Sequence, residues 1–158
     1  MRYFTRSPHP GFCASLVIFS CAMEHAFDDI EGVRMAMYEF TVKVKTQYLE
    51  EQSDPACSHY VFAYAITIVN TGQVPAQLIA RHWVITDINN RTEEVRGLGV
   101  VGHQPFLQPG ERFEYTSGTS LQTPQGSMYG RYFCVAEDGE QFDVKIPEFI
   151  LSRPCTLH

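Results

Sequence analysis

Two stretches of strict alternation limit what this chain can become. In residues 38–45, Tyr38, Phe40, Val42 and Val44 alternate with Glu39, Thr41, Lys43 and Lys45. A period of two sends one set to a buried face and the other to water, the pattern of a strand with one wet side. In residues 60–69, Tyr60, Phe62, Tyr64, Ile66 and Ile68 alternate with Val61, Ala63, Ala65, Thr67 and Val69. Both sets are largely apolar, which predicts a strand covered on both faces and therefore central in its sheet.

The rest of the chain keeps this rhythm of strand and turn. Residues 50–55 form a polar loop, and Asn70-Thr71-Gly72 turns the chain after the second strand. Residues 76–88 read as a third strand carrying the sole tryptophan, Trp83, which on a middle strand plugs the core of a sandwich. Asn89-Asn90 makes a hairpin turn, because asparagine tolerates left-handed backbone, and the chain returns as a strand from Thr92. Leu107, Pro109-Gly110 and Phe113 resemble the corner before a late strand of immunoglobulin-like sandwiches, with phenylalanine where a tyrosine hydroxyl is expected. Residues 128–137 and 141–147, joined by Asp138-Gly139, supply two closing strands. No stretch after Tyr38 holds the spacing of an amphipathic helix. The expectation is an all-β fold, an immunoglobulin/fibronectin type III-like antiparallel β-sandwich of about seven or eight strands.

At 158 residues there is room for one domain of ordinary size. Residues 1–36 lie outside the strand pattern. There Arg2 and Arg6 precede an apolar run, residues 12–23, that resembles a secretory signal but is too short to span a membrane. Met35 and Met37 stand directly before the first strand, so residues 1–36 read as a poorly ordered extension behind an upstream start, and 37–158 as the domain. A net charge of −6 argues against a general nucleic-acid binder, which needs a basic face. The cysteines Cys13, Cys21, Cys57, Cys134 and Cys155 are odd in number and lack C-x-x-C spacing, which fits a reducing, cytoplasmic setting without a membrane role.

Candidate chemistry centres on Arg96-Gly97-Leu98-Gly99-Val100-Val101-Gly102, which spells G-x-G-x-x-G. The phosphate-binding form of that string needs a helix opening on its glycines. Here it runs into His103-Gln104-Pro105 and then Pro109-Gly110, which rules against a helix. One reading is an anion-binding concavity of backbone N–H groups, assisted by Arg96, Arg91 or Arg81. The favoured one is that Gly97, Gly99 and Gly102 supply positive φ angles for a bulged hairpin. The candidate ligand-binding set is therefore Arg96, Gly97, Gly99, Gly102 and Arg81. His59, His82 and His103 are too dispersed for a metal site, so neither metal nor cofactor is expected. No catalytic group is expected either. Ser117, Thr119 and Ser120 have no base and orienting acid nearby in sequence, and Glu93 and Glu94 on one strand point to opposite faces. A binding face is expected at the loops 96–104 and 117–125.

The motifs together carry a family resemblance. Arg81-His82-Trp83-Val84-Ile85-Thr86-Asp87, the run from Glu94 through the glycine loop, Phe113-Glu114-Tyr115-Thr116-Ser117-Gly118, Thr123-Pro124, Gly126-Ser127-Met128-Tyr129-Gly130 and Phe142-Asp143-Val144 resemble the ApaG family of bacterial proteins. The likeness spans residues 38–150. It implies a fibronectin type III-like sandwich and an association, by phenotype, with cobalt resistance and magnesium efflux. It also implies a gene that often neighbours a diadenosine tetraphosphate hydrolase. Related eukaryotic domains sit on F-box proteins and a polymerase-interacting protein, where protein binding is the expected role, and pyrophosphate or nucleotide binding has been suggested at the glycine motif. This chain departs from the family at Leu98 and His103, where acidic or small polar residues are common, which weakens a metal-bridged version of that idea. The expected function is a non-enzymatic interaction module for a protein partner. The alternative is a small-molecule binder holding a pyrophosphate-containing nucleotide at the loop. Edge strands leave a homodimer open, with no sequence pattern selecting it.

Overall fold

The structure, a computed structural model, describes residues 37–155. The expectation for residues 1–36 falls outside them. Eight strands follow in order: β1 (Phe40–Tyr48), β2 (Tyr60–Asn70), β3 (Ala76–Asp87), β4 (Thr92–Leu98), β5 (Phe106–Leu107), β6 (Arg112–Leu121), β7 (Gln125–Ala136) and β8 (Gln141–Ser152). They form two antiparallel sheets, β1-β2-β6 and β4-β3-β7-β8, with β5 pairing the start of β3. Three strands packed against four in this order is the fibronectin type III-like sandwich expected.

The alternation read in the first two strands sets the core. Phe40, Phe62, Tyr64, Ile66 and Ile68 face inward from the smaller sheet and meet Leu78, Trp83, Ile85, Met128, Tyr132 and Val144 of the larger one. Trp83 is 2% exposed and packs its ring against Tyr64, Tyr132 and Phe149 at centroid distances of 5.8, 6.1 and 6.0 Å. It is the core plug, with edge-on geometry to Tyr132 and Phe149 that suits the ring quadrupoles.

Several local expectations change. β2 is central, but its outer face is only half covered and Ala65 is exposed, flanked by the exposed Lys45 of β1 and Thr116 of β6. The third strand ends at Asp87, whose carboxylate accepts from the N–H groups of Asn89 and Arg91 at 2.8 and 3.0 Å and so folds the turn back beneath itself. β7 begins earlier and β8 runs five residues beyond Pro147, to Ser152. Proline is tolerated there because β8 is the outermost strand and its register with β7 shifts between Met128 and Gly130. The corner after β5 is fastened by a residue read only as a turn former. Buried Asn70 donates Nδ2 to the carbonyls of Val74 and Leu107 at 3.0 and 2.9 Å, and its Oδ1 accepts from Gly72 N–H at 2.9 Å.

Candidate functional site

The glycine loop is a hairpin end. Past β4, Gly99 N–H donates to Ile79 C=O at 2.8 Å, while Val100 and His103 exchange both backbone hydrogen bonds at 2.8 and 2.9 Å. Between them Val101 and Gly102 have φ of 48° and 78°, the doubly left-handed pattern of a type I′ turn. Gly99 is also left-handed at 60°, and a Cβ there would lie 2.3 Å from His103 O. Fully buried Val100 pins the loop to the core.

Gly97 behaves differently from the other two, which corrects the expectation that all three glycines supply positive φ. It lies within β4 opposite Arg81, and a Cβ on it would stand 3.0 Å from Arg81 Nη1. Its missing side chain makes room for a guanidinium. Arg81 uses that room to donate Nη1 to the carbonyls of Leu98 and Gly99 at 3.0 and 2.8 Å.

The candidate cations Arg81 and Arg96 line one depression but engage different partners. Arg96 is directly opposite His82, so the two share a face, and Arg81, one residue away on β3, points to the other. Arg81 is thus engaged with loop carbonyls, while Arg96 lies on the outer face with its Nη2 at 3.0 Å from Glu94 Oε2. The N–H groups of Gly99, Val100 and His103 are each bound to a backbone carbonyl.

On that outer face the register assembles a row that crosses all four strands: Arg96, His82, Arg131 and Lys145. His82 Nε2 lies 3.0 Å from Glu94 Oε2, and Arg131 Nη1 lies 3.5 Å from Asp143 Oδ2. Arg96 and then His82 hold the Glu94 carboxyl below its ordinary range. The neighbouring row is Leu98, Ala80, Phe133 and Asp143. All of these but Lys145, together with Arg81 and Gly97, bound a shallow depression of about 400 Å³ where β4 leads into the loop. Leu98, which lines the depression, is 74% exposed, and in the segment that follows Val101 and Phe106 are 56% and 45% exposed.

Sequence reasoning found Arg96 and the loop but not Arg131, Phe133, Asp143 or Lys145. A spacing of two puts Arg131 and Phe133 on one face of β7 and Asp143 and Lys145 on one face of β8, and only the pairing of β3 with β7 and of β7 with β8 makes them neighbours. The histidines remain apart: His59 closes the turn at Asp54, His82 binds Glu94, and the His103 ring packs on Phe113 at 5.9 Å. Among the described residues no three His, Cys, Asp or Glu side chains converge as a metal ion requires, and no helix is long and apolar enough to cross a membrane.

These features define a class: a fibronectin type III-like sandwich with a shallow depression on its larger sheet, at the end of the strand that leads into the glycine loop. The ApaG domain family model matches residues 50–136, and the chain belongs to the ApaG family. It is 61% identical over 124 residues to Protein ApaG of Ralstonia nicotianae, covering 78% of this chain and all of that one. It is 64% identical over 121 residues to Protein ApaG of Nitrosospira multiformis, covering 77% of this chain and 95% of the relative. A Bordetella pertussis crystal structure described as ApaA superposes with a TM-score of 0.74 at 58% identity, over 76% of this chain and 98% of that one.

Proposed function

We propose that this chain is a non-enzymatic protein-interaction module whose contact surface is the glycine-loop tip and the adjoining outer face of the larger sheet. The observation that carries this reading is Val101. A type I′ turn favours Asn or Gly at its first central position, yet a β-branched residue is held there at φ 48° with its side chain 56% exposed. The turn gains nothing from valine, and left-handed strain of this kind gathers at functional sites. On either side of it in the chain Leu98 and Phe106 are also exposed, and Leu98 lines the depression together with Arg96 and Arg131, a combination that suits an interface centre. The cobalt and magnesium phenotype associated with the family is, on this reading, exerted through the partner.

A photo-crosslinking side chain at Phe106, introduced in the natural host, is expected to trap one protein species. Val101→Asn should abolish that adduct while leaving the domain folded and more stable. Adducts unchanged by Val101→Asn overturn the reading.

The depression between Arg96 and Arg131 supports a second reading, a pyrophosphate-containing nucleotide held on the outer face with Arg96 as its cation. Calorimetry with ATP, diadenosine tetraphosphate and pyrophosphate, with and without magnesium, decides it. Micromolar binding, about −8 kcal/mol, that Arg96→Ala removes would favour the nucleotide, and silence at millimolar ligand would dismiss it.

A further inference from the structure

The two sheets end in four edges, β1 and β6 on one, β4 and β8 on the other. An edge strand presents a row of N–H and C=O groups that invites another strand, and proteins protect such edges with charge, proline, bulges or cover. Three of these edges are protected. β1 carries Lys43 and Lys45 and packs along β8. β8 carries Asp143, Lys145 and Glu148, with Pro147 at its register shift. β4 is short and bears Glu93, Glu94 and Arg96.

β6 has none of these devices over most of its length. It pairs with β2 residue for residue from Arg112 to Leu121 without a shift. It contains no proline, and from Tyr115 to Leu121 no charge. Its side chains alternate cleanly between half-buried and exposed, so the strand is regular as well as bare.

We propose that β6 is a dimerisation edge that takes the β6 of a second copy of this chain, antiparallel, joining two three-stranded sheets into one of six strands. The sequence of β6 matches itself about a two-fold axis at Ser117. Phe113 then falls opposite Leu121 and Tyr115 opposite Thr119, all on the core-facing side. On the outer side Glu114 meets Ser120 and Thr116 meets Gly118, so no charge faces its like. Inward residues pair with inward ones and outward with outward, which is what an isologous contact demands. Hydroxyl and apolar cross-strand pairs of this kind add to the backbone ladder. This edge is separate from the loop surface, and the inference stands independently of the protein-binding reading.

Sedimentation of the full chain across a concentration series, with hydrogen exchange of the β6 amides at each end of it, tests the proposal. A dimer is expected, with the outward β6 amides protected at high concentration and exchanging at least about tenfold faster on dilution. The double variant Thr116→Lys with Ser120→Lys should be monomeric and fast-exchanging while retaining the β-sheet circular dichroism. A monomer at every concentration, a dimer indifferent to the lysines, or protection confined to other strands overturns the proposal. So does a monomer whose β6 amides become protected only in cell extract, since that places a foreign strand on the edge. The exchange experiment on the unmutated chain needs no variant, so a misfolded lysine variant does not shield the proposal.

Discussion

Tyr115 on β6 and Tyr132 on β7 tie the two sheets together through a hydroxyl–hydroxyl hydrogen bond of 2.6 Å. Burial is the main reason that both phenols resist ionisation, and Tyr115 adds to the effect on Tyr132. Their folded pKa values lie above the unfolded value of about 10, so the stability linked to them is complete below that pH. Above it the unfolded chain releases protons that the fold retains, and stability falls. The buried Cys134 thiol, pushed up to about 12, acts with the same sign. The urea midpoint is therefore expected to fall on the alkaline side. The double variant Tyr115→Phe with Tyr132→Phe should flatten that fall while costing little at neutral pH, because both partners leave together. An alkaline slope unchanged in the double variant would refute the assignment.

Asn70 fastens the turn after β2 to the corner after β5 with three side-chain hydrogen bonds. Asn70→Ala leaves the Val74 and Leu107 carbonyls and the Gly72 N–H without those partners in a buried place, at a cost of about 3 kcal/mol. Asn70→Asp should be worse, since it sets a carboxylate against the same two carbonyls. Denaturant unfolding measures both. An alanine variant within about 0.5 kcal/mol of the parent would show that water replaces the side chain.

Asn70 also marks where sequence reading stops. Alternation made the strands, their faces and the core position of Trp83 legible, because period and burial are local properties. Asn70 reads locally as a turn residue, and its true role depends on Leu107, which is distant in sequence. The candidate site divides the same way. Arg96 and the left-handed glycines Gly99 and Gly102 were visible in the motif. That Gly97 shelters Arg81, and that Arg96 and Arg131 both flank His82, follow from strand register, which one sequence does not specify.

Thiol chemistry should separate two cysteines sharply. Cys134 is buried and held protonated by desolvation, reinforced by Asp143. Cys57 is exposed, although hydrogen bonding to the Asp54 carboxylate raises its pKa as well. Timed alkylation with peptide mapping is expected to label Cys57 in the folded protein, slowly at neutral pH, and Cys134 only after unfolding. Asp54→Asn should speed labelling of Cys57 and leave Cys134 untouched. Early labelling of Cys134 would mean that the core opens locally.

The three loop glycines should fail in three distinguishable ways. Gly102→Ala meets open space and suffers only left-handed strain, about 1 kcal/mol. Gly99→Ala combines the same strain with a Cβ at 2.3 Å from a backbone oxygen, so the hairpin itself must move and the loss is larger. Gly97→Ala has ordinary φ and meets the flexible end of Arg81, which must withdraw from the Leu98 and Gly99 carbonyls. Arg81→Met removes those same bonds directly. If Gly97 exists to admit the guanidinium, Gly97→Ala in the Arg81→Met background should cost little beyond Arg81→Met alone, a non-additivity that a double-mutant cycle reads from unfolding free energies. Additive losses would mean that Gly97 answers to the strand and not to Arg81.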